Sequence, residues 1–503
     1  MTLESRLASL VMPRLDADHW HDASYRQAAN ALIDRGVSSF GLFSGTLAET
    51  ATMIADLQRY SPQRLFFGAD YEYGLPMRLR EGGIAFPRAM ALGATSPGIT
   101  EHIAAAIARE MRALGVHWNW APVADMNSNP HNPIVNTRAF GEDSKAVSPH
   151  VLAFVRGLQG GGVLACVKHV PGHGATTVDS HLALPELDLD LPLLESREFQ
   201  PFRAAIAENV GSLMMGHLMI PALDANLPAS LSEHIVTGLI RTQWGFDGLI
   251  TTDALDMGAI TSTWSSGDAA VRAVQAGCDV VLLPEDAHVA IDALVEAALD
   301  GRITEERLQH SERRWQHARR TFGRPEPAAP VDQQAHAMMA LQAASLATRV
   351  TGRDALLPLL QYDRVAVFAV IDERDADTAT TWFHYLAQAT ELDIDMGYID
   401  GTISDHDLAG LIEGTQEADV VVFAFFGRAV AHRGGVAGGL PGLERLPEVL
   451  DALSAGRPRI VVAAGSPYGV EDLAADCTLL TYSDTVPSLA ASVLRLIGRE
   501  PQS

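Results

Sequence analysis

Eight short apolar runs recur along the first two-thirds of the chain, each separated from the next by a longer segment of helical periodicity. The runs are Leu10–Arg14, Ser39–Ser44, Leu65–Asp70, His117–Val123, Val163–His169, Ser212–His217, Gly248–Asp253 and Asp279–Leu283. Segments such as Thr100–Ala113 and Glu195–Glu208 carry the amphipathic helical pattern between them. Strands that alternate with helices build parallel sheet covered on both faces. Eight such units ending at Gly323 predict a parallel (β/α)8 TIM-type barrel. An open doubly wound sheet is the rival, but no glycine-rich dinucleotide fingerprint follows the first run.

The polar residues keep the register of the strands. Asp70, Asp125, His169, His217 and Asp253 each end or closely follow a different run. In a barrel those ends converge on one face, where an active site is built. Beyond the barrel, residues 323–330 (GRPEPAAP) read as a linker, followed by the helical pattern MMALQAASLATRV. A second α/β series has its strands at Val365–Ile371, Val420–Phe426, Ile460–Ala464 and Leu479–Tyr482, which predicts an α/β/α sandwich. The expected division is a barrel over 1–323, a linker and connecting helix over 324–349, and a smaller domain over 350–503. The glycine-rich stretch 428–442 lacks a phosphate-loop lysine and reads as a surface loop.

A length of 503 residues fits two domains better than one core. The formal net charge of −25 argues against nucleic acid or an anionic membrane surface as a partner. Cys166, Cys278 and Cys477 are odd in number, far apart and set in apolar sequence, so they read as reduced core thiols. The N-terminus lacks a basic stretch followed by an apolar one, and no run approaches the ~18–20 apolar residues of a membrane span. A cytoplasmic protein without a membrane span is the expectation.

The densest chemistry lies in Lys168–Pro185, KHVPGHGATTVDSHLALP, where a cation, three imidazoles and a carboxylate crowd one loop after an apolar run. This stretch resembles the β-N-acetylglucosaminidase signature of glycoside hydrolase family 3, KHFPGHGDTxxDSHxxLP, departing mainly at Val170 and Ala175. Asp253 follows the run GLITT in GFDGLITTDALDMGAI, which resembles the family's GFdGvixtDdlxM motif. The resemblance implies that Asp253 is the nucleophile; Asp256 lies past the strand end and reads as a helix cap. It further implies that His181 is the general acid/base, with Asp179 as its partner. A carboxylate two residues away on a loop can accept from one imidazole nitrogen, fixing the tautomer and stabilising imidazolium.

By the same resemblance, Lys168 and His169 hold sugar hydroxyls, as does Arg138 in NTRAFGED, which is similar to GxRSFGxD. Asp70 in GADYEYGLPMR matches the first aspartate of DxEGGRVxR, although Tyr73, Leu75 and Pro76 depart from that pattern and alter the pocket rim. Asp125 in APVADMN fits an ordering role in the pocket floor as well as a sugar contact. His217 in MMGHLMIP fits a pocket wall or a core histidine, and His173 between two glycines fits a role in ordering its own loop. The implied activity is a retaining exo-β-N-acetylglucosaminidase acting on a small carbohydrate, muropeptide or chitin derived, with no cofactor and no metal.

Three other readings stand beside it. A histidine acid/base, with Lys168 and Arg138 nearby, leaves phosphorolysis by a β-N-acetylglucosaminide phosphorylase of the same family chemically open. His169, His173, Asp179 and His181 also suit the ligand set of a metal-dependent barrel hydrolase. Pro171 and Gly172 argue against the helix on which a four-residue His spacing would bind zinc. A non-catalytic sugar-binding barrel would need none of Asp253, Asp179 and His181.

Overall fold

The computed structural model of the chain describes residues 2–323, 330–371, 376–401, 403–426, 445–470 and 473–501. Most of the expected linker and all of the stretch 428–442 lie outside the described residues. Two compact units emerge: Met1–Ile84 with Thr100–Asn129 and Gly141–Gln333, and Ala85–Ile99 with Pro130–Phe140 and Gln334–Ser503. Two excursions from the sequence of the barrel thus cluster with the C-terminal unit.

In the first unit every expected run forms strand. The first is split into β1 (Val11–Met12) and β2 (Arg14–Leu15) at Pro13, which has no N–H to give to a ladder. Then follow β3 (Ser39–Leu42), β4 (Phe66–Ala69), β5 (Trp118–Asn119), β6 (Leu164–Val170), β7 (Ser212–Met215), β8 (Leu249–Thr252) and β9 (Val281–Leu282). They pair in parallel in the order β2-β3-β4-β5-β6-β7-β8, while β9 pairs with β1 and Thr251 of β8 bridges Val280. The ring therefore closes, and the (β/α)8 expectation holds. Both faces of β3, β4, β6, β7 and β8 are buried, as parallel strands covered by helices must be. Trp118 and Trp120 fill the interior, and Trp118 donates its indole N–H to Ser212 Oγ at 2.8 Å.

The expected helix Glu195–Glu208 differs from its pattern. A π-helical turn, Leu194–Glu198, precedes an α-helix, Gln200–Ala207. Pro201 cannot donate back along the ladder, so a continuous α-helix through it is unavailable. On the opposite end of the barrel from the strand C-termini, Asp279 is wholly buried just before β9. Its carboxylate accepts from Arg241 at 2.5 Å, Ser311 at 2.6 Å and Arg314 at 3.2 Å.

The second unit has one six-stranded sheet. Its strands are β10 (Arg349–Gly352), β11 (Arg364–Val370), β12 (Asp393–Ile399), β13 (Val420–Phe425), β14 (Arg459–Ala463) and β15 (Cys477–Leu480). The order is β10-β15-β14-β13-β11-β12, parallel except for β10 on β15. Val365, Val367 and Ala369 face one apolar cluster with Trp382 and Leu489, whereas Ala366, Phe368 and Val370 face another with Leu450 and Leu453. Helices thus cover both faces, giving the expected α/β/α sandwich. Among the described residues no helix is long and apolar enough to cross a membrane.

Candidate active site

The expected residues of the barrel unit gather at the C-terminal ends of its strands. Asp70 follows β4 directly, Lys168 and His169 lie in the last turn of pleat of β6, and Asp253 follows β8. Asp125 leaves the short β5 through a segment held to β6 by the Val123–Lys168 bridge.

Two charge clusters hold the floor. Lys168 is almost wholly buried, with its ammonium 2.6 Å from Asp70 Oδ1 and 2.8 Å from Glu72 Oε1. The Arg78 guanidinium also donates to Asp70. Burial works to raise the Asp70 pKa, but Lys168 and Arg78 together hold it at about 2. In the second cluster Asp125 is fully buried and accepts the His173 N–H at 2.8 Å and the His169 Nδ1 proton at 2.6 Å. That bond assigns the proton of His169 to Nδ1 and leaves Nε2 the acceptor in the neutral ring. Asp125 thus ties His169 and the start of the following loop together.

His173 is likewise a loop organiser. Its ring meets Thr176 Oγ1 at 2.7 Å and Ser180 Oγ at 3.3 Å, and burial depresses its pKa to about 4. Glycine on either side is a steric requirement. Gly172 has φ of +131°, and a Cβ at Gly174 would fall 1.5 Å from the Met126 carbonyl oxygen.

The dyad stands on this loop. Asp179 is buried, and its Oδ1 accepts from the His181 backbone N–H at 2.8 Å and from His181 Nδ1 at 2.9 Å. The His181 side chain keeps 27% of its surface open, so Nε2 is the edge turned away from the carboxylate. Backbone N–H groups of Gly258 and Ala259 donate to the carbonyls of His181 and Ser180, tying the dyad loop to the segment just after Asp253.

Burial alone would raise the Asp253 pKa. The imidazoles of His169 and His217, the Ala254 N–H and the Lys168 ammonium hold it below the ordinary value instead, keeping the carboxylate ionised. Asp256 shows the opposite behaviour: burial raises its pKa, with Arg14 opposing and the neighbouring Asp253 adding to the rise.

For His217 the sequence left a pocket wall and a core position both open. It has no exposed surface; Ser230 Oγ lies 2.7 Å from Nδ1, and Nε2 donates to the Ala254 carbonyl at 2.9 Å. Both nitrogens are thus engaged within the protein, and the second bond ties the ring to the backbone beside Asp253. Arg138 lies in a short turn, Asn136–Arg138, of the second unit, where it donates to the Ile134 carbonyl. Two partners escaped the sequence reading, Glu72 and Arg78, although both fall on the glutamate and final arginine of the DxEGGRVxR pattern. Ser230 carried no signal at all.

His169, His173 and His181 each have a separate partner, and among the described residues no group of three or more His, Cys, Asp or Glu is placed to hold a metal ion.

A closed (β/α)8 barrel that carries a carboxylate and an imidazole–carboxylate pair at the C-terminal ends of its strands is an arrangement on which acid/base chemistry can be built. The family model of the glycosyl hydrolase family 3 N-terminal domain matches residues 2–318, and the chain belongs to that family. The chain is 37% identical over 268 residues to β-hexosaminidase A of Pseudoalteromonas piscicida, covering 48% of this chain and 45% of the relative. It is 32% identical over 294 residues to a β-N-acetylglucosaminidase/β-glucosidase of Cellulomonas fimi, covering 56% and 52%. The chain thus spans about half the length of these curated relatives. A solved family 3 β-N-acetylglucosaminidase from Paenibacillus sp. is 28% identical with a TM-score of 0.85, covering 99% of this chain and 97% of that one.

Proposed function

We propose that the chain is a retaining exo-β-N-acetylglucosaminidase that removes terminal β-linked GlcNAc from small oligosaccharides of muropeptide or chitin origin. The observation that carries this is the dyad: a partly open His181 whose Nδ1 is held by buried Asp179, on a loop tied to the backbone after Asp253. The names of the relatives, which refer to β-hexosaminidase and β-N-acetylglucosaminidase, support the sugar.

In the proposed reaction Asp253 attacks the anomeric carbon while protonated His181 gives its Nε2 proton to the leaving oxygen. The bond to the leaving group breaks and a glycosyl ester forms on Asp253. Neutral His181 then takes a proton from water, which attacks the same carbon and frees the sugar. Asp70, Lys168 and His169 hold the sugar, and His217 keeps the Asp253 backbone in place. Water is the proposed acceptor, because Lys168 already faces Asp70 and Glu72 and offers little net positive charge to a phosphate ion. Reduced, buried cysteines support a cytoplasmic setting.

A chromogenic panel of β-GlcNAc, β-GalNAc and β-glucose, assayed with and without phosphate, tests this function. The expected outcome is preference for β-GlcNAc, with free sugar as product at a rate indifferent to phosphate. A sugar phosphate as the main product would replace hydrolysis by phosphorolysis.

A further inference from the structure

One aromatic ring lies under the Asp70 side of the site. Gly41 on β3 and Gly68 on β4 lack side chains where the indole of Trp120 lies. A Cβ at Gly41 would fall 2.8 Å from Trp120 Cη2, and one at Gly68 would fall 3.0 Å from Trp120 Cζ2. Both glycines therefore face the interior of the barrel. Residues two apart along an extended strand share a face, so Phe43 and Asp70 stand on that same side, one step nearer the C-terminal end. Phe43 is buried, its ring centroid lies 6.4 Å from that of Trp120, and its backbone N–H donates to the Leu15 carbonyl at 2.9 Å.

Two guanidinium groups lie over this ring. Arg14 Cζ is 4.3 Å and Arg78 Cζ is 4.6 Å from its centroid. The face of an aromatic ring is the negative part of its quadrupole and attracts a cation. Arg14 is also anchored by Asp16 at 2.7 Å. Arg78 gives Nη2 to Asp70 Oδ2, while its Nε is buried with no hydrogen-bond partner among the described residues. One carboxylate and one ring thus hold this guanidinium. Asp70 in turn divides its oxygens, Oδ2 accepting from Arg78 and Oδ1 from Lys168 at 2.6 Å. The plane of that carboxylate depends on both cations keeping their places.

Resting on the glycosidase function proposed above, in which Asp70 holds the sugar, we infer that Phe43 is a positioning residue: its ring holds Arg78, and Arg78 holds Asp70 in the orientation that meets a sugar hydroxyl. Leucine or methionine would fill much of the same space without the quadrupole, and Arg78 would turn away from Asp70. The sugar keeps its contact with Asp70 from binding through the transition state, so the loss falls on binding and leaves the chemical step nearly unchanged.

The test measures kcat and KM of the full-length chain on an aryl β-GlcNAc glycoside, with the inhibition constant of free GlcNAc. Phe43→Leu is expected to raise KM and the inhibition constant together, roughly three- to tenfold, as the loss of one cation–π contact would, with kcat kept within about twofold. Phe43→Met takes its place if the leucine variant does not fold. Phe43→Tyr keeps the ring face and is expected to match the parent. Arg78→Gln removes the cation and keeps a donor for Asp70, so in that background Phe43→Leu is expected to change neither constant further. A folded leucine or methionine variant with both constants unmoved, an equal loss in Phe43→Tyr, or an undiminished effect in the Arg78→Gln background overturns the inference while leaving the glycosidase intact. A parent chain that leaves β-GlcNAc glycosides uncleaved overturns the function itself, and the inference with it.

Discussion

At the scale of single residues, two neighbouring carboxylates must be told apart. Asp253 is held ionised by imidazoles and the Lys168 ammonium, whereas burial and the charge of Asp253 push Asp256 the other way. An ionised group is the better nucleophile, so a mechanism-based fluoro-sugar is expected to label Asp253, with Asp253→Ala abolishing turnover and leaving the fold intact. Mass spectrometry placing the label on Asp256 would refute the assignment. The dyad makes a separate prediction. General acid catalysis contributes ~10²–10⁴-fold, and a leaving group that needs no proton escapes much of that loss. His181→Ala should therefore slow diacetylchitobiose far more than an activated aryl glycoside, and Asp179→Asn should give a milder version of the same split. Equal losses on both would mean that His181 positions the sugar. The sequence pattern made Asp253, Asp179 and His181 legible, because each sits in a local motif. It left His217 ambiguous, because what decides its role is Ser230 and the Ala254 carbonyl, which only the folded chain brings to it.

At the scale of elements, the barrel strands were readable because burial on both faces makes each a compact apolar run. Two strands of the second unit were not. β12 alternates acidic with apolar residues and leaves Met396 and Tyr398 half exposed at the sheet edge, so it lacks the run that marks its neighbours. β10 is mostly exposed and continues the helical pattern of the segment before it. The dyad loop supplies the element's own prediction. Its chain passes so close to Met126 that a side chain at Gly174 would overlap a carbonyl oxygen, and the His173 backbone just before it is pinned at its N–H by Asp125 and at its carbonyl by Thr176. Gly174→Ala is expected to displace the loop and cut kcat by at least about 10²-fold, since small misplacements of catalytic groups are that costly. The barrel core does not rest on this contact, so far-UV circular dichroism should be unchanged. Retained activity in Gly174→Ala would show that the loop can give.

At the scale of the whole chain, acid stability follows from which buried groups must take up protons. His117, His150 and His173 are kept neutral by burial, with pKa values of about 3, 4 and 4 against an ordinary 6.5. The unfolded chain therefore binds protons first, and stability is lost as pH falls below about 6.5 until the folded histidines protonate. Asp70 and Asp279 behave as carboxylates whose folded pKa is depressed, to about 2 from 3.8. Their contribution is fully present above about 3.8 and disappears as pH falls toward 2. The urea midpoint should therefore decline below about pH 6.5, as the unfolded chain takes up protons on these three histidines, and go on declining below pH 4 as Asp70 and Asp279 lose their contribution. All of these groups lie in the barrel unit, as do six of the seven tryptophans, so indole fluorescence reads the right unit. Asp279→Asn isolates the second phase. It leaves Arg241, Arg307 and Arg314 without their shared buried anion, a change that costs about 3–5 kcal/mol for a broken buried pair. The variant should be less stable at pH 7 and show a weaker fall below pH 4, because the group that would have been protonated there is gone. A variant with the parent's stability at pH 7 would mean that the three arginines reach solvent or other acceptors, and that Asp279 does not hold this end of the barrel together.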